Sequence, residues 1–146
     1  MHDVPRSYTR DEYTISTDRA RLDVDALHGF LVKSYWATGM QREALERAIL
    51  NSLCFGVYHG TQQIGFARAI TDLATYAYLA DVFIVEAYRG RGLSKWLMEC
   101  ILAHPDLQGL RRFALFTRDA AGLYTQYGFG PANGRTTYLE RRAPGR

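Results

Sequence analysis

Residues 88–97 read Tyr-Arg-Gly-Arg-Gly-Leu-Ser-Lys-Trp-Leu, between an apolar run and an amphipathic one. A strand that passes through glycines into a helix aims successive backbone N–H groups at one point. The helix N-terminus adds partial positive charge there, so an anion is favoured. Gly90 and Gly92 permit the positive φ and close approach that such a nest needs, and Arg89, Arg91 and Lys95 put mobile positive charge beside it. The chemistry this allows is phosphate binding. The competing reading is a plain strand-to-helix turn, and the local pattern leaves the two level. A Walker A loop would need Gly-Lys-Ser/Thr, which is absent, and a Rossmann fingerprint read from Gly90 would need a glycine where Lys95 stands.

Two further charges interrupt apolar strand patterns. Arg68 breaks the alternation of Ile64, Phe66 and Ile70, and Asp81 is the internal charge of the run TYAYLADVFIVEAY. His28, His59 and His104 have no visible partners in the sequence and read as turn or surface residues. Cys54 and Cys100 each lie in an apolar stretch with no metal-ligand spacing, as core thiols of a reducing compartment would.

The elements that must position these residues follow from periodicity. YTISTD has the composition of a short strand, whereas residues 1–11 read as a loose end, as do residues 141–146. Val24, Leu27, Phe30 and Leu31 approach helical spacing, with Asp23 or Asp25 as cap. Thr38 and Gln41 are spaced as a capping box ahead of the stripe Ala44, Leu45, Ala48 and Ile49. A hairpin turns near His59–Gln62, with Gly60 supplying the turn. Leu93, Trp96, Leu97, Cys100 and Ile101 then form a core-facing helical stripe that Pro105 ends. LRRFALFT is the next strand, DAAGLYTQYGF a short helix stopped at Gly128, and RTTYLERR a last strand. The order is β-α-α-β-β-β-α-β-α-β, one α/β domain over residues 1–146.

The length of 146 residues is enough for a core without staples, and 47% apolar with 23% charged residues argues against disorder. Ten tyrosines and seven phenylalanines imply a well-filled core or an aromatic-lined pocket. A net charge of +3 is too weak to imply nucleic acid, and no apolar run approaches a membrane span. The N-terminus has no signal-peptide core, so a cytoplasmic protein is the simplest expectation.

VFIVEAYRGRGLSKWLMECIL resembles the acyl-CoA-binding motif of the GNAT acetyltransferases, Arg/Gln-x-x-Gly-x-Gly/Ala, with Arg89, Gly92 and Ser94 at its fixed places. TRDAAGLYTQYGFGP is similar to the family's Asn-x-x-Ala-x-x-Leu-Tyr-x-x-x-Gly-Phe helix through Ala120, Leu123, Tyr124, Gly128 and Phe129. Two motifs at the family's separation are far more specific than either alone, and the element order is also the family's. Ser94 departs from the usual Gly or Ala, and Thr117 stands where the family often has Asn to hold the pantetheine arm.

The resemblance implies a mixed, largely antiparallel sheet flanked by helices, with a split between strands that holds CoA. It also implies direct acetyl transfer from acetyl-CoA to an amine, with no metal. The pyrophosphate would sit on Arg89, Gly90, Arg91, Gly92, Leu93, Ser94 and Lys95, with Thr117 beside the pantetheine. The backbone of Phe83 and Val85 would pair with the pantetheine, one N–H polarising the thioester carbonyl. Tyr124 matches the catalytic acid. Asp81 is the first candidate for the base, and its pairing with Arg68 across the hairpin is the open alternative; Asp72 and Glu86 stand behind it. Tyr35 and Trp36 would line the acceptor pocket and suit a cationic amine, whereas Arg68 would suit a carboxylate, so a small amine such as an amino acid meets both. The implied partner is that small-molecule amine, with neither nucleic acid nor membrane; a homodimer stays open. The alternative function is a CoA-binding or sensing module without turnover.

Overall fold

The computed structural model describes residues 4–132 and 134–144. A six-stranded sheet runs in the order β1 (Ser7–Arg10), β2 (Tyr13–Ser16), β3 (Leu53–His59), β4 (Gln62–Thr71), β5 (Tyr76–Ile84) and β6 (Arg112–Leu115). Neighbours pair antiparallel as far as β5, and β5 pairs parallel with β6. Helices α1 (Val24–Leu31) and α2 (Arg42–Leu50) join β2 to β3. Helix α3 (Leu93–Ala103) is the crossover from β5 to β6, and the short α4 (Ala121–Thr125) follows β6. This is the α/β fold expected, with a mixed sheet flanked by helices.

The sheet has a core on each face. On one, Leu27, Leu31, Leu45 and Ile49 of α1 and α2 pack on Cys54, Phe66 and Phe83. On the other, Leu93, Trp96, Leu97, Cys100 and Ile101 of α3 pack on Phe55, Val57, Ala67, Ala69, Ala77 and Leu79, so the helical stripe read from sequence is the buried face. Asp23 caps α1 by accepting from the Ala26 N–H. The hairpin turns at Gly60, with φ +62°.

Four expectations are corrected. Residues 7–10 are a strand, because their backbone pairs with Tyr13–Ser16 and the guanidinium of Arg10 lies over Trp96. Residues 135–142 form no strand and have no register in the sheet. The capping box at Thr38 does not form: its hydroxyl donates to the Ser34 carbonyl, and Gln41 caps α2 without a side-chain bond. His104 is buried rather than at the surface; its Nδ1 accepts the Asp106 N–H and its ring meets Phe55 edge to face.

The feature that positions the site is a bulge in β5. Phe66 pairs with Phe83 but Arg68 pairs with Ala80, so β5 carries one residue more than β4 between those pairs. Asp81 there has φ +57°, a left-handed conformation rare for a residue with a Cβ. Face parity flips at this point. Ala77 and Leu79 face α3, and strict alternation would send Asp81 the same way. Asp81 instead shares the α1–α2 face with Arg68 and Phe83. Parallel pairing with β6 ends at Leu79–Leu115, immediately before the bulge, so the sheet is split from residue 80 onward.

Two stability effects follow. A Cβ at Gly65 would lie 2.7 Å from Ile84 Cδ1 and 2.8 Å from the Phe83 carbonyl oxygen. Gly65→Ala should therefore cost about 1–3 kcal/mol in urea unfolding. Burial also pushes Cys54 and Tyr58 up to about 12 and Cys100 up to about 11, from ordinary values of 9.0 for a thiol and 10.0 for a phenol. Above pH 9 the unfolded chain releases these protons and the folded chain keeps them, so stability should fall as pH rises toward 12. Burial holds His104 below 6.5, so the unfolded chain binds a proton there first, and stability should also fall below that pH. Urea midpoints measured across pH 5–11 should show a plateau between these limbs.

Candidate active site

The loop after β5 is built as an anion cradle. Gly90 and Gly92 have φ of +79° and +77°, which glycine adopts without strain, and a Cβ at either would meet open space. Gly92 is the N-cap of α3 and no side chain caps the helix, so its first N–H groups are left to a ligand or solvent. Leu93 is buried and anchors the helix start, while Ser94 lines a cavity of about 770 Å³ with Arg89. The basic side chains are placed differently from expectation. Arg91 donates to the Tyr13 hydroxyl at 2.8 Å and lies over Tyr88, turned to β2. Arg89 donates through Nε to the Ile84 carbonyl at 2.9 Å. Lys95 is exposed and lines neither of the two cavities described here.

The backbone beside the split is also shifted by one residue. The Val85 N–H donates to the Ile64 carbonyl at 2.8 Å, and the next such pair inward is Phe83 with Phe66. Phe83 therefore spends its backbone groups on β4, and Val85 spends its N–H there while its carbonyl accepts the Tyr88 N–H at 3.0 Å. By the alternation of an antiparallel ladder, Val82 and Ile84 present theirs to the open edge. Val82, Phe83 and Ile84 line the first cavity, whereas Val85 does not. The Phe83 side chain stacks on Phe30 with ring centroids 3.7 Å apart.

A second cavity of about 670 Å³ lies on the other side of Trp36 and Tyr124 and contains Arg68, Asp81 and Thr117 in its wall. Tyr35, Trp36, Val82 and Tyr124 border both cavities, which therefore meet there. Tyr124 is 8% exposed, and burial, with Tyr35 adding to it, raises its phenol above the ordinary 10.0. At neutral pH it keeps its proton as a donor. Thr117 accepts the Ala120 N–H at 3.0 Å and so organises the start of α4, the helix that carries Tyr124.

Asp81 is fully engaged. Its Oδ2 accepts from Nε and Nη2 of Arg68, both at 2.9 Å, and its Oδ1 accepts the Trp36 indole N–H at 3.1 Å. Arg68 Nη1 also donates to the Ser52 hydroxyl. The pairing across the hairpin is thus what forms, and the pair is buried. The sequence reading missed Val82 and Ile84, whose orientation depends on the bulge. It also missed Arg118 and Asp119, which border both cavities and sit two and one residues before the recognisable Ala120. Nothing in their types distinguishes them from solvated loop charges.

Among the described residues, no group of three or more His, Cys, Asp and Glu gathers as metal ligands, and no helix is long and apolar enough to cross a membrane.

Residues 51–131 match the family model described as an acetyltransferase (GNAT) domain. The Gibberella zeae protein FG08082, which carries an acetyltransferase name, is 35% identical over 143 residues, covering 82% of this chain and 80% of that protein. A GNAT-family protein from Xanthomonas campestris pv. campestris superposes with a TM-score of 0.88 at 47% identity, over 94% of this chain and 97% of the other. An Elizabethkingia anophelis GNAT acetyltransferase solved with acetyl-CoA bound shares the fold, with a TM-score of 0.65 at 13% identity over 85% of this chain and 80% of the other. The two motifs, the split sheet and these likenesses agree: the chain belongs to the GNAT acetyltransferase family.

Proposed function

We propose that the protein transfers an acetyl group from acetyl-CoA directly to the amine of a small molecule. The observation that carries this reading is the meeting of two cavities at Tyr124, one running to the glycine loop and the other lined by Arg68, Asp81 and Thr117. Acetyl-CoA fits the first cavity on three counts: an uncapped helix N-terminus for the pyrophosphate, open space over Gly90 and Gly92, and a free strand edge at Val82 and Ile84 for the amide-bearing arm.

The roles follow from geometry. Backbone N–H groups at residues 92–95 hold phosphate, with the guanidinium of Arg89 in the same cavity wall. The Val82 N–H, turned to the split, polarises the acyl oxygen as charge develops on it. The co-substrate supplies an activated thioester: the amine lone pair forms the new C–N bond, the C–S bond breaks, and the electron pair leaves on sulfur. The ammonium loses one proton to water before its lone pair attacks and a second as the C–N bond forms, while Tyr124 gives the sulfur its proton and recovers one from solvent. Asp81 acts as a positioning residue. Three donors hold its carboxylate, and through them it fixes Trp36 between the cavities and stabilises the bulge that aims Val82.

Two substitutions test these roles. Tyr124→Phe should lower kcat on the order of 100-fold while acetyl-CoA affinity, measured by calorimetry, stays close to wild type. Unchanged kcat would remove the phenol from the chemistry, and CoA binding without thiol release from wild-type protein over an amine panel would favour the sensing module. Asp81→Asn keeps an acceptor for Trp36 but sets an amide N–H₂ against Arg68. It should lower kcat/KM by a similar factor from pH 6 to 9 and keep the shape of the pH profile. Loss of the ascending limb would return Asp81 to the role of base.

A further inference from the structure

The second cavity has the wall of a site for an aromatic body. Tyr35, Trp36, Tyr78 and Phe116 put four rings on it, with Ile70 and Leu115 between them. Tyr35 meets Trp36 at 5.1 Å and Tyr78 meets Phe116 at 6.0 Å, centroid to centroid. Trp36, Tyr35, Ile70 and Phe116 are 41%, 49%, 42% and 63% exposed and Phe116 meets the Tyr138 ring edge-on at 4.8 Å, so the concave apolar surface is open to a ligand with Tyr138 against one of its rings.

The charges of this wall are paired within it. Arg68 is held by Asp81 and Ser52. Arg118 lies 3.6 Å from Asp119, with its guanidinium 3.7 Å over the Tyr35 ring. A substrate carboxylate would have to compete with Asp81 for the buried Arg68 or with Asp119 for the exposed Arg118, and a second ammonium would have to compete with those arginines for Asp81 or Asp119. Arg68, which the sequence assigns to a substrate carboxylate, already holds Asp81 as its carboxylate partner. The amine must reach the border formed by Val82, Trp36 and Tyr124, where the cavities meet, and the aromatic faces there suit its charged form on entry. The remainder of the acceptor then extends toward Tyr78 and Phe116.

We propose that the acceptor is an arylalkylamine, a primary amine on a short alkyl chain ending in an aromatic ring, without a carboxylate or a second amine. This rests on the acetyl-transfer reading above and narrows its substrate.

The test combines turnover with binding. Thiol release from acetyl-CoA is followed with phenethylamine, ethylamine, spermidine and phenylalanine, and phenethylamine binding to the CoA-loaded protein is measured by calorimetry. Phenethylamine should exceed each of the others in kcat/KM by about tenfold or more. Phe116→Ala, at an exposed position where truncation spares the core, should narrow the preference for phenethylamine over ethylamine by about the same factor. Equal or better turnover of spermidine or phenylalanine would overturn the acceptor class and leave acetyl transfer standing. Saturable phenethylamine binding with no thiol release from any amine would support the cavity assignment and overturn the transfer reading. Absence of both binding and turnover of phenethylamine would overturn the inference outright.

Discussion

A buried ion pair at a distorted point of one strand is the constraint on which the site depends. Asp81 holds a left-handed backbone conformation that costs about 1–2 kcal/mol for a residue with a Cβ. Arg68 on the adjacent strand takes one of its carboxylate oxygens through two N–H groups, and Trp36 donates to the other. Breaking one side of such a pair leaves an uncompensated charge, which costs more than the strain it holds in place. The bulge is thereby fixed, and with it the end of β5–β6 pairing and the direction of every backbone group from Val82 to Ile84.

The same economy shapes the glycine loop. Its arginines are braced by the fold: Arg89 bonds the Ile84 carbonyl at the strand it follows, and Arg91 reaches back to Tyr13 on β2. Tyr13 in turn packs against His59 and Tyr88, so the loop is braced from below by β2 and β3. Positive potential at the cradle comes from backbone N–H groups that are already oriented. An oriented dipole needs no reorganisation when an anion arrives, whereas a mobile side chain must be ordered.

Both faces of the sheet contribute side chains to the cavities because the split joins them. The α1–α2 face supplies Tyr35 and Trp36 from the connection between its helices, and the α3 face carries α4 with Tyr124 in its core cluster. Thr117, which stands where the family often has asparagine, lines the second cavity and also organises the first turn of α4, the helix that presents the tyrosine.

The sequence by itself determined the elements whose periodicity is local: the α3 stripe, the hairpin at Gly60, the glycine loop and the Leu-Tyr-x-x-x-Gly-Phe helix, and hence the family. These depend on neighbours within a few residues, and hydrophobic spacing or a required positive φ marks them. Tertiary structure decided the rest. Ser7–Arg10 became a strand only because Tyr13–Ser16 lay beside it. Residues 135–142 have a strand's composition but no register in the sheet. The one-residue shift from Phe83 and Val85 to Val82 and Ile84 followed from a bulge that the sequence does not announce, since an aspartate inside an apolar run marks a charge and not a change of register. That Asp81 is half of an ion pair likewise depended on the β4–β5 register that set it against Arg68. Register between strands distant in sequence is a property of the packed sheet, and a single extra residue reverses which groups face a partner and which face a ligand.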